Sequence, residues 1–188
     1  MSEKKVIKRG ISRDEWVLEG LEVLNESGVD QVTIHNLARR LGVARSGFYW
    51  HFKDRNALHE AMLIDWERLM TKTISDNKEI ASLGPIDRLL RIAELIQDFD
   101  LNAYDVALNH WAMQSKMAAR RVRAVTRLRF RFVKRAFAEL GFEGEALELR
   151  TMLFVTFTMW EGTTFSNIPQ KKRQAMNRKR VELLTRAD

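Results

Sequence analysis

Four histidines, His35, His51, His59 and His110, are the side chains that could ligate a metal or move a proton near neutral pH. None stands four residues from another, so no helix presents the paired imidazoles of a zinc site, and neither metal nor cofactor is expected. No Ser, His and acid set stands out for acyl transfer, and no enzyme is expected. Cysteine is absent, which removes thiolate chemistry and disulfides and fits a reducing compartment. Two other sets carry chemistry. Nine basic side chains between Lys116 and Arg135, with no acid among them, form either a solvated face or a surface for anions. Such anions could be the acidic part of the same chain, an effector such as a carboxylate or acyl-CoA, or a membrane surface. Met62, Trp66, Met70, Phe99, Trp111, Met113, Met117, Met152, Met159 and Trp160 are adaptable or amphipathic, and either fill a core or line a pocket for an apolar or aromatic ligand. The candidates for that pocket are Met62, Trp66, Phe99, Trp111, Met152 and Trp160, with Tyr104, Asn109 and His110 as its polar side chains.

The elements that must position these residues read as helices. With 188 residues, 45% hydrophobic and 30% charged, the chain can bury a core and is not compositionally disordered. Only 2 Pro and 9 Gly punctuate it, and few segments alternate with period two, so the fold class is all-α. The most apolar run, Met152 to Trp160, falls short of the roughly 20 residues of a membrane helix. The charged N-terminus leads into no apolar segment of a secretory signal, so the expectation is a soluble cytoplasmic protein. Charge is uneven: residues 1–58 net +2, residues 59–115 net −5, and residues 116–188 net +10.

Ser12 followed by Glu15 has the spacing of a capping box and predicts a first helix, with Trp16, Val17, Leu21 and Leu24 inward and Gly28 at its left-handed end. Thr33 can cap a short helix from Ile34 to Leu41, stopped by Gly42. After Gly42 and Val43 a third short helix runs from about Ala44 to Trp50, with Trp50 and Phe52 expected to pack on the first helix. Asn56 or Asp54 starts a long helix through Leu58, Met62 and Leu69. Pro85 suits the first turn of another helix. Two long helical segments follow, about Val106 to Leu140 and Glu145 to Asn167, then a Lys- and Arg-rich tail after Pro169.

Two short helices joined by a tight Gly turn, with small Ala38 at their crossing and Val43 in the turn, have the pattern of a helix-turn-helix. Antiparallel helical pairs in other bundles share that pattern. The run Gly28, Thr33, Leu37-Ala38, Gly42-Val43, Phe48-Tyr49-Trp50-His51-Phe52, Arg55 and Leu58 closely resembles the N-terminal DNA-binding domain of TetR-family repressors, over Ser12 to Leu58.

The resemblance implies a helix-turn-helix DNA-binding domain in residues 1–58 and a helical ligand-binding and dimerisation domain in residues 59–188. Its function would be that of a homodimeric repressor on a double-stranded DNA operator, released by a small-molecule effector. It implies that Arg45 reads guanine through a bidentate fork, with Ser46 beside it and Gly47 allowing close approach to a thymine methyl or the sugar-phosphate wall. Tyr49, His51, Arg55 (where the family usually has Lys) and Thr33 would hold phosphates, and His35 and Asn36 a base edge or the backbone. The chain departs from the family in having Ala44 where Ser or Thr usually caps the recognition helix, and Gly47 weakens that helix. Lys4, Lys5, Lys8 and Arg9 form either a minor-groove arm or a solubilising tail. A candidate dimer interface is Ala124, Leu128, Phe132, Phe137, Leu147, Thr151, Phe154, Val155 and Thr158, part of which must be intramolecular core.

Overall fold

A computed structural model describes residues 10–186, so the basic arm of Lys4, Lys5, Lys8 and Arg9 lies outside the described residues. Among the described residues there are nine α-helices and no strand, in agreement with an all-α fold. The chain forms two compact units, Met1–Asp65 and Trp66–Asp188.

The first unit holds α1 (Arg13–Ser27), α2 (Ile34–Leu41), a 3₁₀ helix (Arg45–Trp50) and the start of α3 (Arg55–Met70). The capping box forms: the Ser12 hydroxyl accepts from the Glu15 N–H, and the Glu15 carboxylate accepts from the Ser12 N–H at 2.7 Å. Thr33 caps α2 by accepting from the Asn36 N–H at 3.2 Å, and Asp54 does the same for α3 through the Ala57 N–H at 2.9 Å. Gly42 ends α2 in the left-handed region, at φ 67° and ψ 34°. Gly28 differs from expectation. Its φ of 82° comes with a ψ of 169°, an extended mirror conformation that a Cβ would not tolerate, rather than the left-handed helical one.

The second unit holds the end of α3, a π-helical turn (Thr71–Ser75), α4 (Lys78–Ser82), α5 (Pro85–Asp98), α6 (Asp105–Gln114), α7 (Lys116–Glu139), α8 (Gly144–Thr164) and α9 (Gln170–Thr185). Helix α7 is its spine, packed on α5, α6 and α8, while α5 also covers α9. Pro85 occupies the first turn of α5 as expected. The expected helix from Val106 to Leu140 is two. Ser115 is extended (φ −130°, ψ 118°) and its hydroxyl caps α7, so the chain turns between Gln114 and Lys116. The basic tail is also a helix, anchored by buried Val181 and Asn177.

The residues from which a dimer interface was read divide by burial. Phe137, Thr151, Phe154, Val155 and Thr158 are buried within the one chain, and Ala124, Leu128, Phe132 and Leu147 are half-buried.

Candidate nucleic-acid interface and internal cavity

Aromatic packing holds the 3₁₀ helix in place. Phe48 is fully buried, edge-on to Trp16 of α1 (5.4 Å between centroids) and 5.3 Å from Phe52, itself buried. With these side chains turned inward, the opposite side of the same short helix must face out. Arg45 and Ser46 are exposed, Gly47 half-buried, Tyr49 60% exposed and Trp50 85% exposed. Trp50 therefore does not pack on α1 as expected. It stands two positions beyond Phe48, about half a turn around a helix, and that spacing was the signal available in the sequence. Phe52 does pack inward as expected.

Two open grooves flank the 3₁₀ helix. One is lined by Ile11, Ser12, Trp16, Gly47, Trp50 and His51 among others. The other is lined by His35, Arg39, Arg45 and Ser46 together with Ala38, Val43 and Ala44. The structure thus brings His35, Arg45 and Ser46 to one groove, with Gly47 in the other. Arg39, which sequence reasoning passed over, joins them, held by a 2.6 Å hydrogen bond to the Asn36 Oδ1. The N-cap Ala44 is extended and makes no side-chain cap, so the helix starts without the hydrogen bond that Ser or Thr would supply.

Other expected contacts are occupied within the protein. Asn36 Nδ2 donates to the Gln31 carbonyl (3.0 Å), and the Thr33 hydroxyl caps α2. His51 Nε2 donates to the Ile11 carbonyl at 2.8 Å. Arg55 Nε donates to the Val32 carbonyl and an Nη to the Val29 carbonyl, both at 2.6 Å, so its guanidinium ties α3 to the turn between α1 and α2. Beside it, burial and the Arg55 charge hold the His59 imidazole down at about 4.

The second unit contains an internal cavity with room for about 30 Å³ of solvent, close to two waters. Its wall is apolar, chiefly Ile74, Ile92, Ile96, Phe132, Phe154 and Met159, apart from Asn102, Thr158 and one ion pair. In that pair Arg129 presents both Nη atoms to Asp105, at 2.7 and 3.1 Å. Asp105 is 2% exposed, and burial pushes its carboxyl up from its ordinary value against the pull of Arg129.

None of the nine residues expected to line a ligand pocket lines this cavity. Met62 lies in the first unit, its sulfur filling the space left by Gly20, where a Cβ would sit 2.8 Å from it. Trp66 and Trp111 are buried in core, while Phe99, His110, Met152 and Trp160 are exposed. Tyr104 is half-buried, and Asn109 Nδ2 donates to the Asp105 backbone carbonyl at 2.7 Å. The missed signal was Arg129 itself. It falls in the buried register of α7, after Val122 and Val125 and before Val133 and Ala136. The rest of the basic helix divides: Arg121 pairs with Glu67 (2.7 Å), Lys134 with Glu148 and Arg135 with Glu139 (2.9 Å), while Lys116, Arg120, Arg123, Arg127 and Arg131 lie along its solvent side.

Residues 19–62 match a family described as bacterial regulatory proteins, tetR family. Tetracycline repressor protein class D of Escherichia coli is 36% identical over 55 residues, 29% of this chain and 25% of that protein. The HTH-type transcriptional regulator BetI of Cronobacter sakazakii is 31% identical over 108 residues, 57% of this chain and 53% of that protein. The sequence likeness therefore spans from a quarter to about half the length of these relatives. Two solved structures share the fold: a transcriptional regulator from Rhodococcus sp. Rha1 (TM-score 0.73, 15% identity, 93% of this chain and 96% of that one) and Salmonella enterica GusR (TM-score 0.71, 14% identity, 97% of each).

Proposed function

We propose that this chain, a TetR-family regulator by the helix-turn-helix head in residues 19–62, is a repressor that binds a palindromic operator as a homodimer and is released by a small molecule. The observation that carries the reading is the exposed row Arg45, Ser46, Tyr49 and Trp50 on a helix pinned from behind by Phe48. Such a helix fits the major groove, where Arg45 forks to guanine O6 and N7. Tyr49 contributes a phosphate contact, and Thr33, Asn36, His51 and Arg55 act by holding the head in shape.

One head reads few base pairs, and a two-fold dimer doubles the site. The face we assign to the dimer is the solvent side of α8 and α9, where Leu149, Met152, Leu153, Trp160, Met176 and Leu183 are large, apolar and exposed. The effector acts through its differential affinity for two states of the dimer. A second reading, the same head controlled by a protein partner or by expression level, draws support from the small size of the cavity and from the buried Trp66 and Trp111.

The test is a selection from randomised duplexes with the wild type and Arg45→Ala. The expected outcome is loss of preference at one base pair per half-site, about 1–3 kcal/mol. An unchanged site preference would remove the base-reading role from Arg45.

A further inference from the structure

We propose that the cavity of the second unit is a receptor for a small apolar monocarboxylic acid, whose carboxylate takes the place of Asp105 on the Arg129 fork. The proposal rests on the reading of this chain as an effector-responsive regulator and names the chemical class of the effector.

Two parallel N–H groups aimed at two oxygens across 2.7 and 3.1 Å are the geometry by which a guanidinium recognises a free carboxylate. Here the seat is filled by a side chain of the protein itself, inside an otherwise apolar wall. Arg129 is held independently of its partner: one Nη lies 3.0 Å from the Met70 sulfur, and the guanidinium carbon is 5.9 Å from the Trp66 ring centroid. The fork therefore keeps its aim when Asp105 leaves.

Of the two partners, Asp105 is the one that can give way. A guanidinium does not give up its proton in a protein interior, whereas a carboxylate 2% exposed among apolar side chains is relieved by taking one. Burial already moves the Asp105 carboxyl in that direction. Among the described residues, no other charged side chain lines the cavity. Helices α5 and α8 and the π-helical turn present it apolar groups, with Asn102 and Thr158 as neutral polar neighbours. An incoming carboxylate thus keeps one anion opposite Arg129, and Asp105 takes up one proton from solvent.

Size limits the class. With about 30 Å³ free, the cavity accepts a ligand only as the Asp105 side chain withdraws and the wall opens, which favours a body of one ring or a short chain. Asp105 is the first residue of α6, so its displacement acts directly on the start of that helix.

The experiment is titration calorimetry of the full chain at pH 6.5 with 3-phenylpropanoate, hexanoate, 3-phenylpropanamide and hexylamine, in two buffers of different ionisation enthalpy. The carboxylates are expected to bind at least tenfold more tightly than the amide and the amine, with uptake of close to one proton. Asp105→Asn should tighten carboxylate binding at least tenfold and abolish the proton uptake. The double variant Asp105→Asn/Arg129→Gln leaves no buried charge unpaired, so it should stay folded by circular dichroism and lose the carboxylate preference. Equal binding of acid and amide, preference for the amine, no binding to folded protein, or an Asp105→Asn protein indistinguishable from wild type would each overturn the proposal. So would loss of binding in Arg127→Gln/Arg131→Gln, which would move the anion to the outer face of α7. Operator retention is followed in parallel: carboxylate binding without operator release overturns release by effector and leaves the site standing. Release by the amine or amide alone does the reverse.

Discussion

At the scale of single residues, Arg45 and Arg55 show why residue type does not assign a role by itself. Both are arginines of the first unit, yet one is exposed and the other spends its guanidinium on the carbonyls of Val29 and Val32. Arg55→Ala strips a charged donor from two backbone acceptors and should cost about 2 kcal/mol of stability in urea unfolding. An Arg55 variant with full stability, DNA binding weakened on all sequences alike and a salt slope flatter by about one contact would restore its role as a phosphate contact. Behind Arg55, His59 is neutral in the fold down to about pH 4, while the unfolded chain takes up the proton near its ordinary value of 6.5. Because the folded value is the lower one, His59 destabilises the head progressively as pH falls from 6.5 towards 4. In His59→Gln the loss of stability across that window should be shallower, as read by urea midpoints at several pH values. The caps were legible at this scale, since Ser12 with Glu15 and Thr33 act through neighbours three residues away. Arg55 was not, because its acceptors lie 23 and 26 residues earlier in the chain.

At the scale of elements, the recognition helix is the weak member of the head. It is a 3₁₀ helix with Ala44 at its start, no side-chain cap, and Gly47 inside it. Ala44 already has the extended backbone of an N-cap, so Ala44→Ser should add about 1 kcal/mol of stability without altering the fold. Thermal unfolding measures this, and an unchanged or lowered midpoint would mean that the helix start is not limiting. Local periodicity located the helices α1, α2, α3 and α5 well. It failed where a boundary depends on one residue, as at Ser115, whose extended backbone divides α6 from α7. It failed again where charge hid a helix: α9 is dominated by Lys and Arg and buries mainly Val181 and Asn177. The Met and Trp set misled for a third reason. Composition shows that side chains can line a pocket, whereas which of them do depends on packing between helices distant in sequence.

At the scale of the whole molecule, reading a palindromic site takes two copies of the chain. Of the groups expected to join them, Phe137, Phe154 and Val155 are buried within the one chain, whereas α8 and α9 carry other large apolar side chains that are exposed. Leu153→Glu places a charge in the assigned dimer face and should convert the protein to a monomer by sedimentation, with operator affinity lowered by well over tenfold. A dimeric Leu153→Glu protein would place the interface elsewhere. Release by a small molecule then depends on which state of the dimer the ligand prefers, because a ligand that binds both states equally shifts nothing. All of this presupposes sequence-selective DNA binding. The most direct measurement is a selection from genomic fragments with the purified protein, repeated at about 50 and 200 mM salt, a range over which binding carried by phosphate contacts alone falls by orders of magnitude. Enrichment of one palindrome that survives the higher salt is the predicted result; binding that fades uniformly across all fragments would contradict the account.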